Sequence, residues 1–201
     1  MIPSFKLIVP SRIVTRITDA SAASLRQRGI AAVITDLDNT LVPWKSREIS
    51  EDVFDWLAAL KRENIKIVIA SNTMHPKRLK EIAERMDIPY ILGVRKPWPA
   101  GYRRSMQLLG STPETTAMIG DQVFTDIMGA NALGLHTILL RPQLSTHEFI
   151  WTIFVRQIER LAIGYLTAQG RWPTPDAPAV PAHAVAASVG TEKSGGDAPA
   201  R

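Results

Sequence analysis

The apolar positions between residues 30 and 142 alternate between short continuous runs and longer segments with helical spacing. Short runs bounded by polar residues predict buried strands, and apolar residues at i, i+3, i+4 and i+7 predict amphipathic helices. The runs predict five strands, at residues 31–35, 66–70, 90–92, 116–119 and 136–140. The helical spacing predicts four helices, at residues 50–64, 76–86, 99–109 and 126–133.

Each pair of consecutive strands is separated by little more than one helix. This order favours parallel pairing with right-handed crossovers, because a helix carries the chain back to the start of the next strand. The sequence therefore predicts an α/β fold, a three-layer, doubly wound parallel sheet formed by residues 30–142.

The flanking segments differ from this core in pattern. Residues 1–29 form an N-terminal extension with a predicted helix around 20–28, and residues 143–168 predict an unusually apolar helix that packs on the core or on a partner. Residues 169–201 are rich in Ala and Pro, so we expect a disordered tail that buries too little apolar surface to offset its ordering entropy.

Composition narrows the function only slightly. The chain has 201 residues, 24 basic against 19 acidic, and this net charge of +5 favours anionic partners. Cysteine is absent, which excludes disulfides and thiolate metal sites. Because we find neither a secretory signal nor an apolar run of about 20 residues, we expect a cytoplasmic protein whose membrane contact, if any, is peripheral at the inner face.

Polar residues follow four of the predicted strands. They are Asp36 and Asp38, Ser71 and Asn72, Lys96, and Asp121 with Asp126. In a parallel sheet these strand ends lie along one edge, so residues distant in sequence can surround one ligand. Two carboxylates on alternate residues repel each other and need a cation or a shared proton. The pattern predicts a site for a metal ion and a phosphate.

These motifs resemble, in order, the four motifs of the haloacid dehalogenase (HAD) superfamily. The strings are Asp36-x-Asp38-x-Thr40, Ser71, Lys96-Pro97, and Gly120-Asp121 with Asp126. The segments 35–41, 95–97 and 120–126 are more particularly similar to the YqeG-type branch of subclass IIIA, which is similar to mitochondrial-type phosphatidylglycerophosphatases. The resemblance covers nearly all of residues 1–168 and implies an HAD-like Rossmannoid phosphatase.

The resemblance also implies a role for each matching residue. Asp36 would be the nucleophile that forms an aspartyl-phosphate, and Asp38 the general acid and base. Mg²⁺ would bind Asp36, the Asp38 backbone carbonyl and Asp121, and the phosphate would bind Ser71, Asn72 and Lys96. Thr40 and Asp126 would be supporting residues; for Asp126 a role as a helix N-cap stays equally open.

The spacing of the motifs leaves no room for a lid. Asp38 and Ser71 are 33 positions apart, and Ser71 to Lys96 and Lys96 to Asp121 are 25 each, lengths filled by the predicted helices and strands. Members of this superfamily insert a cap domain after the first motif or before the third. We therefore expect a capless, open site that admits a large substrate.

Three functions remain open at this point. The first is hydrolysis of a phosphorylated substrate, with phosphatidylglycerophosphate and its lipid headgroup as the preferred choice by family likeness. The second is a phosphatase of a soluble sugar phosphate or nucleotide. The third is a non-catalytic protein that docks to a GTPase, RNA or ribosomal surface, although nucleic acid is not the expected partner. The oligomeric state stays open.

Overall fold

The computed structural model describes residues 3–141 and 150–176 and contains a six-stranded, fully parallel sheet in the order β1-β6-β5-β2-β3-β4. The strands are β1 (Arg12–Val14), β2 (Ala32–Thr35), β3 (Lys66–Ser71), β4 (Tyr90–Leu92), β5 (Thr116–Gly120) and β6 (His136–Leu140). The helices are α1 (Ala22–Gln27), α2 (Glu51–Arg62), α3 (Pro76–Met86), α4 (Pro99–Leu109), α5 (Met128–Asn131) and α6 (Ile150–Ala168). Short 3₁₀ turns occur at Pro3–Ile8, Ile17–Asp19 and Pro113–Thr115.

The helices form the two outer layers. One hydrophobic cluster joins α1, α2 and α3 to one face of the sheet, where Val33, Ile69 and Ile119 point. A second cluster joins α4 and α5 to the other face, through residues such as Ile34 and Met118. The sheet is therefore the middle of three layers, and the predicted doubly wound α/β fold is confirmed.

The predicted strands are all present with bounds that agree to within one residue, and α3 and α4 have the predicted bounds. The segment predicted as a helix at 126–133 is different. It begins earlier, as a π-helical turn over Val123–Ile127, and continues as the four-residue α5. The wider turn lets the Asp126 side chain face back towards β5, where its Oδ2 accepts a hydrogen bond from Gln122 N at 3.1 Å.

Strand β1 is missing from the sequence-based prediction. It has three residues and pairs parallel with β6, with Ile13 opposite Leu139. The segment is too short for a recognisable run, and its first residue is a charged Arg12 that is nonetheless buried. The N-terminal extension therefore completes the sheet.

The C-terminal segment covers this edge. Leu166 of α6 is fully buried among Ile8, Ile13 and Leu139, and Glu159 accepts a hydrogen bond from Phe124 N. The structure differs from the predicted tail at residues 169–176, which run back to β1, where Asp176 N donates to Ile13 O at 2.9 Å. Residues 143–149 of the apolar segment and 177–201 of the tail lie outside the described residues. Within the described residues, α6 included, no helix is both long and apolar enough to cross a bilayer.

Candidate active site

The first carboxylate of the candidate site is that of Asp36, directly after β2. The strand order reverses here, because β3 and β5 pair with opposite edges of β2. Asp36 is 7 % exposed, and its backbone N–H donates to Ile119 O of β5, which fixes the end of the strand. The ammonium of Lys96 lies 2.6 Å from Asp36 Oδ1 and 2.7 Å from Asp126 Oδ1. A single buried cation thus joins carboxylates that come from two different strand ends.

The loop that carries Lys96 is held by Asn72. The Asn72 side chain accepts a hydrogen bond from Lys96 N at 3.0 Å and donates one to Lys96 O at 3.2 Å. Sequence analysis predicted that Asn72 binds phosphate; in the structure its amide binds this backbone and so fixes the position of the lysine. Both residues line the same cavity.

Gly120 allows Asp126 to reach the site. A Cβ at position 120 would lie 2.3 Å from Asp126 Oδ2 and 2.6 Å from Asp126 Cβ, far inside contact distance. On the other side, the Tyr102 hydroxyl donates to Thr125 O at 2.6 Å. Asp126 is 1 % exposed, and its Oδ1 lies 2.7 Å from the Lys96 ammonium, so the structure places it as a buried partner of Lys96.

Burial and charge shift the pKa values of this group. Burial raises the pKa of Asp36 to about 6; Lys96 opposes the shift, whereas Asp126 and Asp38 add to it. Burial alone would lower the pKa of Lys96, but the carboxylates of Asp126 and Asp36 more than compensate and hold it above its ordinary value. Lys96 therefore stays protonated, and added positive charge near Asp36 would oppose the rise in the pKa of its carboxyl.

Asp38 has a different environment on the outer side of the site. Its Oδ1 lies 2.9 Å from Arg78 Nη2 and accepts a hydrogen bond from Lys45 N at 3.1 Å, and its Oδ2 accepts one from Arg78 Nη1 at 3.2 Å. Its side chain is 23 % exposed. Sequence analysis did not identify Arg78, because an arginine beside the apolar stripe of a helix is ordinarily a solvated residue and nothing in its spacing relates it to Asp38.

The cavity between these groups has a volume of about 180 Å³. Its lining residues are Asp36, Asp38, Asn39, Trp44, Ser71, Asn72, Thr73, Lys96, Gln122 and Thr125. Ser71, predicted as a phosphate ligand, lines it and accepts a hydrogen bond from Thr73 N. Thr40, in the loop after β2, and Asp121, at the end of β5, are both buried. Neither residue lines this cavity.

The donor atoms here suit a hard divalent cation. The predicted ligands Asp36, Asp121 and the Asp38 carbonyl all offer oxygen, the ligand type that Mg²⁺ prefers, with Asp121 at the end of β5 outside the cavity lining. The Lys96 ammonium is shared by two carboxylates, so one positive charge faces two negative charges. A further cation near Asp36 would therefore lower the raised pKa of its carboxyl. Within the described residues no three His, Cys, Asp or Glu side chains form a metal cluster by themselves. The predicted set differs from such a cluster, because one of its ligands is a backbone carbonyl.

Comparison with known proteins agrees with this geometry. The sequence model of haloacid dehalogenase-like hydrolases matches residues 16–134. The chain is 36% identical over 165 residues to the "Probable phosphatase YqeG" of Bacillus subtilis, a match that covers 82% of this chain and 95% of that protein. A shorter match, 32% identical over 60 residues, is to a glyceraldehyde 3-phosphate phosphatase of Pyrococcus furiosus and covers 30% of this chain and 25% of that protein.

The family match and the YqeG relative confirm the prediction of an HAD-type phosphatase. The matched residues run from before α1 to just after α5 and contain all the motif residues of the candidate site. The chain therefore belongs to the haloacid dehalogenase-like hydrolase family.

Proposed function

We propose that this chain is a Mg²⁺-dependent phosphomonoester hydrolase that acts through an aspartyl-phosphate, and that its substrate is the lipid phosphatidylglycerophosphate. The observation that carries the chemistry is the buried Asp36 carboxylate, paired with Lys96 at 2.6 Å in a cavity that also contains Asp38. A carboxylate held in this way can attack phosphorus while the neighbouring ammonium balances the charge that develops on the phosphoryl oxygens.

The residues divide the reaction into two steps. In the first, an Asp36 oxygen bonds to phosphorus as the ester P–O bond breaks, and Asp38 donates its proton to the leaving oxygen. In the second, Asp38 takes a proton from water, which attacks phosphorus and releases Asp36 and inorganic phosphate. Bound Mg²⁺ would reduce the repulsion between the Asp36 carboxylate and the anionic phosphate.

Lys96 and Ser71 would orient the phosphoryl group. An ammonium has three N–H donors, and Asp36 and Asp126 engage two of those of Lys96. The third is available to a phosphoryl oxygen, and the Ser71 hydroxyl can donate to another.

The choice of a lipid rests on the shape of the site and on its rim. A cavity of about 180 Å³ holds a phosphoryl group, so the rest of the substrate extends outside it. Apolar side chains are exposed on the loops that follow β3 and β4 at this edge: Met74 is 91 % exposed and Trp98 is 69 % exposed. Tryptophan is favoured at membrane interfaces, where its ring meets the headgroup region.

Phosphate release tests the chemistry first. We expect wild type to release phosphate from phosphatidylglycerophosphate in mixed micelles with Mg²⁺, and EDTA to abolish the release. Asp36→Asn removes the nucleophile, so kcat should fall by about 10³-fold or more. Asp55→Asn, at an exposed aspartate on α2, is the matched control and should leave kcat unchanged. Retained activity in Asp36→Asn would exclude the aspartyl-phosphate.

A substitution on the rim tests the lipid. Trp98→Ser should raise KM for micellar substrate several-fold and leave KM for a water-soluble phosphomonoester unchanged. The control is Leu108→Ser, because Leu108 is 55 % exposed near the far end of α4. The match to a glyceraldehyde 3-phosphate phosphatase favours a small soluble phosphomonoester as the second candidate. Efficient turnover of glyceraldehyde 3-phosphate, together with no effect of Trp98→Ser on KM for the micellar substrate, would exclude the lipid substrate. No turnover of either substrate would favour a binding protein.

A further inference from the structure

Arg78 is a buried arginine at the third position of α3 and is 5 % exposed. Its guanidinium has two sets of contacts. One is with the Asp38 carboxylate, at 2.9 Å and 3.2 Å, and the other is with the backbone of Ser46, whose carbonyl accepts hydrogen bonds from Nε at 2.9 Å and Nη2 at 2.7 Å. An arginine bound in this way has a fixed orientation, because the planar guanidinium donates in a rigid fork.

Ser46 belongs to the flap, the loop of residues 43–48 that lies between β2 and α2. The flap contains Trp44, which lines the cavity, and Lys45, whose backbone N–H donates to Asp38 Oδ1. The Asp38 carboxylate therefore accepts contacts from the flap and from α3 together. A carboxylate has about four lone-pair sites, and these contacts use three, so one site on Oδ2 is left for proton exchange.

Two further residues of α3 contact the flap without contacting Asp38. Glu81 pairs with Arg47 at 2.9 Å, and Arg85 donates to Arg47 O at 2.6 Å. Both contacts are solvent-exposed. In the described contacts, Arg78 is the side chain of α3 that connects the flap to the candidate acid and base, whereas Arg85 supports the flap and nothing in the cavity.

We propose that Arg78 is a positioning residue: it fastens the flap to α3 and fixes the Asp38 carboxylate at the angle from which a proton reaches the leaving oxygen. The inference rests on the proposed role of Asp38. Asp38 gives a proton to the leaving oxygen as the ester P–O bond breaks, and the same carboxylate takes a proton back from water when the phospho-Asp36 bond is hydrolysed. A mispositioned carboxylate slows proton transfer and leaves substrate affinity nearly unchanged.

Leaving groups that differ in their need for a proton separate this role from general support of the fold. An alkyl phosphate needs protonation as its ester bond breaks, whereas 4-nitrophenyl phosphate has a stable anionic leaving group. We expect Arg78→Met to lower kcat/KM for an alkyl phosphate by about 10–100-fold and for 4-nitrophenyl phosphate by less than about threefold. Arg78→Lys should restore part of the loss and also serves if Arg78→Met folds poorly.

Arg85→Met is the matched control, since it removes an arginine from the same helix and from the same flap. It should change kcat/KM for both esters by less than about threefold. In an Asp38→Asn background, Arg78→Met should have no further effect on the alkyl ester, because the group that it positions is gone. Equal losses on the two esters, an equal loss in Arg85→Met, or a full additional loss in the Asp38→Asn background would overturn the inference.

A failure of the proposed function is distinguishable from a failure of this inference. If wild type hydrolyses neither ester, the phosphatase proposal fails and Arg78 positions no acid. Whether Arg78 fastens the flap can then still be tested by the rate at which trypsin cleaves after Lys45 and Arg47. Faster cleavage in Arg78→Met than in wild type supports the fastening, and equal rates overturn it.

Discussion

The centre of the sheet and its β1–β6 edge are stabilised in different ways. At the centre, between β5, β2 and β3, a buried ammonium joins two buried carboxylates, and all three lie at the carboxyl end of the strands. At the edge, β1 is attached by reciprocal hydrogen bonds, in which the backbone N–H groups of Ser11 and Thr137 each donate to the other residue's hydroxyl. The Arg12–Asp176 ion pair, where Asp176 is 38 % exposed, adds a further contact. Removing one buried charge leaves the others unpaired, whereas a lost edge contact is largely replaced by water. Stability and catalysis are therefore coupled at the centre and separable at the edge.

Loss of the central cation should have the largest effect. In Lys96→Met, Asp36 and Asp126 remain buried without their shared partner, so we expect the free energy of unfolding to fall by about 3–5 kcal/mol and activity to disappear. Urea denaturation measures the first effect and phosphate release the second. Lys66→Met, which removes an exposed lysine whose ammonium donates to Leu109 O, should cost about 1 kcal/mol or less. Similar losses in the two variants would contradict a special role for the central pair.

A smaller effect is expected at Gly120, where the absence of a side chain leaves room for Asp126. Gly120→Ala would place a methyl 2.3 Å from Asp126 Oδ2, and this clash should displace Asp126 from Lys96. We expect a loss of about 1–3 kcal/mol in the free energy of unfolding, together with reduced kcat. Gly164→Ala in α6 is the matched control, because its Cβ meets nothing within 4 Å, and it should be neutral or slightly stabilising. A neutral Gly120→Ala would show that Asp126 can move without loss.

Much of the centre could be predicted from the sequence, because its residues have two independent signals. The buried strands are continuous apolar runs, and Asp36, Lys96 and Asp126 each follow a strand end in motif order. The apolar runs and the order of the motifs were sufficient to predict that these residues lie at one edge of the sheet.

The contacts of Asp38 and the β1 edge were not predictable in the same way. Arg78 contacts Asp38 because α3 packs under the flap. The two residues are 40 positions apart, and neither the helical spacing of α3 nor the motif around Asp38 indicates this contact. β1 has three residues, and Asp176, within the predicted tail, reaches it from 164 positions away. Short elements held by long-range polar pairs have no periodicity that a sequence pattern could reveal.

At the edge, the Arg12–Asp176 ion pair gives a weaker test of the same comparison. Asp176→Asn leaves Arg12 with Ser24 Oγ as its remaining described side-chain partner, so we expect a loss of about 1 kcal/mol in the free energy of unfolding. Activity should be unchanged, because the pair lies on the strand farthest in order from β3. Glu84→Gln removes the exposed Lys80–Glu84 pair and should have no measurable effect on stability. Reduced kcat in Asp176→Asn would show that the edge is coupled to the site.

The pH dependence of stability should also contain a contribution from the edge. Burial, together with the charges of Arg28 and Arg12, lowers the pKa of His136 on β6 from 6.5 to about 4. Above about pH 6.5 the imidazole is neutral in both the folded and the unfolded chain. Between about pH 6.5 and 4 the unfolded chain binds a proton that the folded chain does not, so the free energy of unfolding falls as the pH falls. Because the side chain is partly exposed, the loss should be about 1 kcal/mol or less.

Substitution of His136 isolates this contribution from the acidic groups at the centre. His136→Gln has no titrating group, so denaturation curves between about pH 7 and about pH 4.5 should show a shallower loss of stability than in wild type. The difference between the two proteins should appear in stability and not in kcat, because His136 begins β6 at the end opposite the candidate site. If the two proteins lose stability in parallel, the imidazole takes up its proton equally in the folded and unfolded states. If the difference appears in kcat instead, then the edge and the centre are not separable, and the contrast drawn between them is wrong.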